Sequence, residues 1–140
     1  MTNQQANQQE KNYVLVYGTL RQGGYNHDLM GEAELLTSLK LAGFSMVSLG
    51  SYPAVYMNNQ AEKAIHAELY LVDKATFARL DQLEGYPDFY NRSQIEVKLA
   101  NGQPIKAWIY HMSQEELSDK EPVEEGDWLG APSLRNTSQL

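Results

Sequence analysis

The sequence predicts an α+β domain: a small barrel-like mixed β-sheet with one main helix and a second short one. Three observations lead there. Strand-length runs of β-branched, aromatic or alternating residues recur roughly six times. A single segment, residues 73–84, carries a clear helical apolar pattern with capping residues at both ends. Strands and helices do not alternate as they do in a doubly wound sheet, and no segment repeats along the chain. Closure into a barrel would also hide the edges of so many short strands.

Taken in order, residues 1–12 are dominated by Gln and Asn without periodicity and read as a disordered polar tail. The single domain, residues 13–130, opens with Tyr13-Val14-Leu15-Val16-Tyr17, a run that reads as a buried strand ended by Gly18. A polar loop containing Gly23-Gly24 follows, and Asn26 is placed to cap a short helical turn over residues 27–31. Residues 35–47 read as one or two strands broken at Gly43. A turn at residues 49–53 leads into a short strand through Val55 and Tyr56.

Residues 64–72 alternate, with Ile65, Ala67, Leu69 and Leu71 on one face and His66, Glu68 and Tyr70 on the other. Asp73 is positioned to cap the main helix, which stops at Gly85 with Pro87 just beyond. Alternation returns in residues 94–99, and Asn101-Gly102 signals a hairpin. Its returning strand puts Ile105, Ala107 and Ile109 on one side and Trp108 and Tyr110 on the other. The chain then turns acidic and polar. Trp128-Leu129 is expected to pin this segment down, and residues 131–140 form a polar C-terminal tail.

Composition removes several functional classes. Among 140 residues there is no cysteine, which excludes disulfides, thiolate zinc sites, iron–sulfur clusters and cysteine nucleophiles. Eleven basic against eighteen acidic residues give a net charge of −7. No Lys/Arg cluster suggests nucleic-acid binding, and the charge disfavours anionic membranes. No apolar run is long enough for a membrane helix, and residues 1–12 contain no apolar stretch of a secretory signal, so the expected location is cytoplasmic. His27, His66 and His111 lack metal-ligand spacing.

Three places could hold chemistry. Glu84 lies seven residues after Phe77 and four after Leu80, on the stripe where Phe77, Leu80 and Leu83 face the core. Burial there would raise its pKa toward the range a general acid or base needs, and Asp81 on nearly the same face would push the same way. Equally, a carboxylate at a helix end can reach water, and spacing alone favours that plainer reading. In Tyr17-Gly18-Thr19-Leu20 a strand runs into glycine and a loop. Glycine there permits unusual dihedrals and a close ligand approach, and successive N–H groups can form an anion-binding concavity; an ordinary strand-to-loop turn has the same pattern. The third place is aromatic: Tyr52, Tyr86, Phe89 and Tyr90 with Arg92 nearby suit a half-polar pocket wall or the packing of a long loop.

Jointly these segments resemble the γ-glutamylcyclotransferase-like family, in its small single-domain, γ-glutamylamine cyclotransferase-like branch. The resemblance rests on Val16-Tyr17-Gly18-Thr19-Leu20, Gly50-Ser51-Tyr52-Pro53-Ala54, Ala67-Glu68-Leu69-Tyr70 and Leu80-Asp81-Gln82-Leu83-Glu84-Gly85-Tyr86. It continues through Tyr90-Asn91-Arg92, Ala107-Trp108-Ile109-Tyr110 and Gly126-Asp127-Trp128, in the family's order. One departure is Ala67, where relatives often have Gly. The resemblance implies a barrel-like fold with a cavity at one end. It implies Glu84 as catalytic acid/base, and backbone N–H groups of Tyr17, Gly18, Thr19 and Leu20 as the holders of a substrate carboxylate.

The implied reaction closes an L-γ-glutamyl group to 5-oxoproline and expels the attached amine. The implied partner is a small γ-glutamyl substrate. Because that substrate brings its own nucleophile, no metal and no cofactor are expected. Two other classes remain open: a non-catalytic module binding a small metabolite in the same pocket, and an interaction domain recruiting a basic partner through the acidic segment 113–127.

Overall fold

The structure is a computed structural model and describes residues 10–130. The expected tails lie outside these residues except for residues 10–12, of which Lys11 and Asn12 already belong to the first strand, β1 (Lys11–Val16). The remaining strands are β2 (Glu34–Leu41), β3 (Phe44–Ser48), β4 (Pro53–Met57), β5 (Ile65–Asp73), β6 (Asn91–Lys98), β7 (Pro104–His111) and β8 (Glu121–Pro122). The main helix is α1 (Lys74–Glu84), and a single turn, α2 (Gln114–Leu117), is the second helix. The turn expected after Asn26 is 3-10 in form, His27–Met30. Asn26 does not cap it, because its side-chain amide donates instead to the Thr19 hydroxyl at 3.0 Å.

The α+β class holds, but the strands do not close into a barrel. They form a five-stranded sheet in the order β2-β5-β1-β7-β6 and a separate three-stranded sheet, β4-β3-β8. Closure is unnecessary because the larger sheet's outer strands are already protected. β2 and β6 carry Glu34, Lys40, Glu96 and Lys98 at exposed positions, and charged side chains discourage edge-to-edge pairing.

β1 lies at the centre, antiparallel to β5 (Leu15 opposite Leu69) and parallel to β7 (Leu15 opposite Ile109). Both its faces are buried, which accounts for its unbroken apolar run. Val14 and Val16 face a cluster with Tyr70, Val72, Phe77, Leu80 and Tyr110, beneath α1. Leu15 and Tyr17 face a second cluster with Ala67, Leu69, Ala107 and Ile109, which Phe44, Met46 and Val55 of the smaller sheet complete. Trp128 and Val123 pack against that second cluster, as expected of the C-terminal Trp.

The local signals work as read. Asp73 caps α1 by accepting Thr76 N–H at 2.8 Å, and Gly85 ends the helix in the left-handed region at φ 67°. Asn101-Gly102 closes the β6–β7 hairpin, with Leu99 N–H donating to Gln103 O at 2.9 Å. Leu83 departs from expectation: it is 40% exposed, because the last turn of α1 runs past the edge of the core.

Candidate active site

β1, β4, β7 and the C-terminal end of α1 all terminate around one cavity of about 270 Å³. One wall is the end of β1 with the turn behind it, Tyr17, Gly18, Thr19 and Leu20. Tyr52 comes from the bend before β4 and Pro53 from its first position, Tyr110 from β7, and Leu83 and Glu84 from α1; Phe89 and Tyr90 follow from the next loop. Leu15 and Val16 of β1, with Tyr25 and Asn26, complete the lining.

Glu84 is the last residue of α1, and its position follows from the helix phase that buries Phe77 and Leu80. Among the described residues its side chain has no hydrogen-bond partner, and burial pushes its carboxyl up from 4.5 to about 7. Glu84 is half-buried, between the buried and the solvated readings of this position. Asp81 plays no part in that shift. Its carboxylate is taken by Arg92, with Nε to Oδ1 at 2.9 Å and Nη2 to Oδ2 at 3.2 Å, and by the Tyr110 hydroxyl at 2.7 Å.

The turn is held from behind. Arg21 N–H donates to Gly18 O, and Asn26 N–H to Thr19 O, both at 3.0 Å. Glu68, buried on β5, accepts Gln22 N–H at 3.0 Å, Arg21 Nε at 3.3 Å and the Tyr70 hydroxyl at 2.9 Å. Arg21 reaches on to Asp127 at 2.7 Å, which ties the C-terminal segment to the same loop. Among the described residues, the N–H groups of Gly18, Thr19 and Leu20 donate to no protein acceptor. Gly18 needs no unusual dihedral, for its φ is not positive. It is glycine because a Cβ there would lie 2.8 Å from the Pro53 ring, which is part of the cavity wall.

The aromatic group divides in two. Tyr52, Phe89 and Tyr90 line the cavity, with Phe89 edge-on to both neighbours at centroid distances of 6.3 and 5.2 Å. Tyr86 instead joins Phe77 and Trp108 around the Arg92 guanidinium, 4.2 to 4.5 Å from their ring centres. Sequence reasoning gave no role to Tyr110 or Pro53, which come to the cavity through long-range pairing, or to Tyr25, which comes from the loop behind the turn. It also gave none to the Glu68–Arg21–Asp127 network. A charged residue on an otherwise buried strand was the available signal for Glu68.

Each histidine has its own neighbour. His27 Nδ1 meets Leu20 O at 2.9 Å, His66 Nδ1 lies 3.8 Å from Asp127, and His111 Nε2 meets Ser93 Oγ at 2.8 Å. Among the described residues no helix is long and apolar enough to cross a membrane.

One carboxyl poised near neutrality shares the cavity with a turn of uncommitted amides, and among the described residues no Ser, Cys, Lys or His lines it. Such a site is suited to moving a proton on a small molecule that carries its own reacting groups. The chain belongs to the gamma-glutamyl cyclotransferase, AIG2-like family, whose profile matches residues 14–130. It is 37% identical over 116 residues to a candidate gamma-glutamylcyclotransferase of Vibrio cholerae, covering 82% of this chain and 93% of that one. The gamma-glutamylcyclotransferase family protein YtfP of Escherichia coli is 33% identical over 116 residues, covering 83% and 95%.

The solution structure of YtfP matches with a TM-score of 0.61 over 84% of this chain and 96% of that one. Bacillus subtilis YkqA matches with a TM-score of 0.72 at 25% identity; the chain covers 43% of YkqA's length, and the match takes in 91% of this chain. Family membership supports an enzyme of the γ-glutamylcyclotransferase kind acting on a small molecule.

Proposed function

We propose that the chain cyclises an L-γ-glutamyl group to 5-oxoproline and releases the attached amine. The observation that carries this reading is Glu84: a carboxyl without a protein partner, raised to about 7, in the wall of the cavity. The substrate's α-amine nitrogen bonds to its own γ-carbonyl carbon, and the bond from that carbon to the leaving amine breaks. Glu84 takes a proton from the α-ammonium and gives it to the leaving nitrogen; the second proton that the ring nitrogen sheds goes to the released amine, which departs as its ammonium, so the atoms balance without water. The N–H groups of the turn Tyr17-Gly18-Thr19-Leu20 hold the α-carboxylate, which fixes the folded chain for ring closure. Holding both ends of a five-membered ring in the making is a large part of the catalysis, because it removes the entropy of finding that geometry.

The experiment is release of 5-oxoproline from a panel of γ-glutamyl amides. Turnover of at least one, lost in Glu84→Gln, is the expected result. A panel without turnover, or a Glu84→Gln protein that works as well as the wild type, overturns the reading.

A further inference from the structure

We propose that the hydroxyl oxygens of Tyr90 and Tyr110, together with Glu84, form the subsite that recognises the substrate's α-ammonium, acting as acceptors only. The inference rests on the γ-glutamyl reading above and adds to it the groups that select for the amine. It follows from where the tyrosine protons go. The Tyr90 hydroxyl lies 2.6 Å from Pro53 O, a carbonyl that can only accept, so the Tyr90 proton is committed there. The Tyr110 hydroxyl donates to Asp81 Oδ1 at 2.7 Å, an oxygen that also accepts from Arg92 Nε, so the Tyr110 proton is committed as well.

Each hydroxyl is left with lone pairs and no proton to offer the cavity. Tyr17 is tied similarly, donating to Tyr110 O at 2.8 Å. Glu84 lines the same cavity as these three tyrosines.

The cavity thus has two walls of opposite character. Uncommitted backbone donors stand at Gly18, Thr19 and Leu20, and acceptors stand at Tyr90, Tyr110 and Glu84. An α-amino acid head group offers the complement to both, with a carboxylate for the donors and an ammonium for the acceptors. An acceptor-only tyrosine cannot hydrogen-bond an oxyanion, so the charge that develops on the γ-carbonyl oxygen must be met by N–H groups and not by these phenols.

The test compares L-glutamate with glutarate, which lacks the ammonium, by direct calorimetric binding and, where turnover is found, by competitive inhibition. The wild type is expected to prefer L-glutamate by roughly tenfold or more, since a charge-assisted bond is being gained. Tyr90→Phe and Tyr110→Phe should each shrink that preference roughly three- to tenfold while leaving glutarate affinity in place. In turnover they should raise KM more than they lower kcat, with the acidic limb of the pH profile retained. Equal binding of the two ligands, no binding of either, or an unchanged preference in both variants overturns the proposal. Because the preference is an internal ratio, partial loss of folded protein in one variant does not blur it. Turnover of γ-glutamyl amides alongside an unchanged preference would retain the proposed reaction and reject this subsite.

Discussion

At Glu84 the cost of burial and the needs of proton transfer coincide. The folded carboxyl titrates at about 7 against 4.5 for an unperturbed one, so its charged form is disfavoured by the fold. That penalty is absent below pH 4.5, where the group is protonated folded and unfolded alike, and complete above about 7. Glu84→Gln should therefore stabilise the protein at pH 8 relative to pH 4.5, by at most roughly 2–3 kcal/mol. Denaturant midpoints at the two pH values measure this, and a pH-independent effect would contradict it. In the same variant kcat should fall by roughly 10²–10⁴, the usual worth of general acid–base catalysis. The wild-type rise of kcat/KM with pH, through an apparent value near 7, should vanish with it. Gly18 offers a steric counterpart. A Cβ 2.8 Å from the Pro53 ring should cost Gly18→Ala roughly 1–3 kcal/mol and raise KM, and a variant with normal Tm and KM would show that the ring yields freely.

Helix α1 carries Glu84 at one end and its N-terminal cap at the other, and the two ends separate stability from catalysis. Asp73→Ala removes the acceptor of Thr76 N–H and should cost about 1 kcal/mol. Eleven residues of helix separate the cap from the cavity, about 16 Å, so KM and kcat should stay unchanged; a shifted KM would mean that the helix transmits the lost cap to the site. At the other end Gly85→Ala meets both a left-handed φ of 67° and the Phe89 Cβ at 2.9 Å. It should destabilise by roughly 1 kcal/mol and disturb the Phe89 wall, visible as lower stability together with a higher KM. The elements that could be read from sequence are those governed by near neighbours: the Asp73 cap, the Gly85 stop, the Asn101-Gly102 hairpin and the alternation of β7. Ser113-Gln114-Glu115-Glu116 carried a capping-box pattern of the same local kind, and in the structure Ser113 and Glu116 satisfy each other's backbone. The face of Leu83 was misjudged because helical phase says which side a residue points to, not whether a neighbour is there to cover it.

Across the whole molecule, what stayed hidden is what depends on distant pairing. Composition and periodicity gave the α+β class, but nothing in them says that β3 pairs with β8 or that β2 and β6 stay apart. The turn and Glu84 could be singled out as candidates by local pattern, while the tyrosine wall required β4, β7 and the loop after α1 to meet. The central place of β1 has a consequence for how the chain is made. Its partners are β5, with Tyr13 opposite Leu71, and β7, with Tyr13 opposite Ala107. During synthesis, which proceeds from the N-terminus, β1 emerges before both of its partners and stays unpaired on one edge until β7 has followed. Such sequence-distant contacts slow folding and lengthen the exposure of sticky segments. Nascent chains stopped before residue 104 should then remain protease-sensitive and bind an apolar dye, with protection appearing once β7 is complete. Protection of β1 in chains stopped before residue 65, which hold neither β5 nor β7, would mean that it finds a temporary partner the finished fold does not contain.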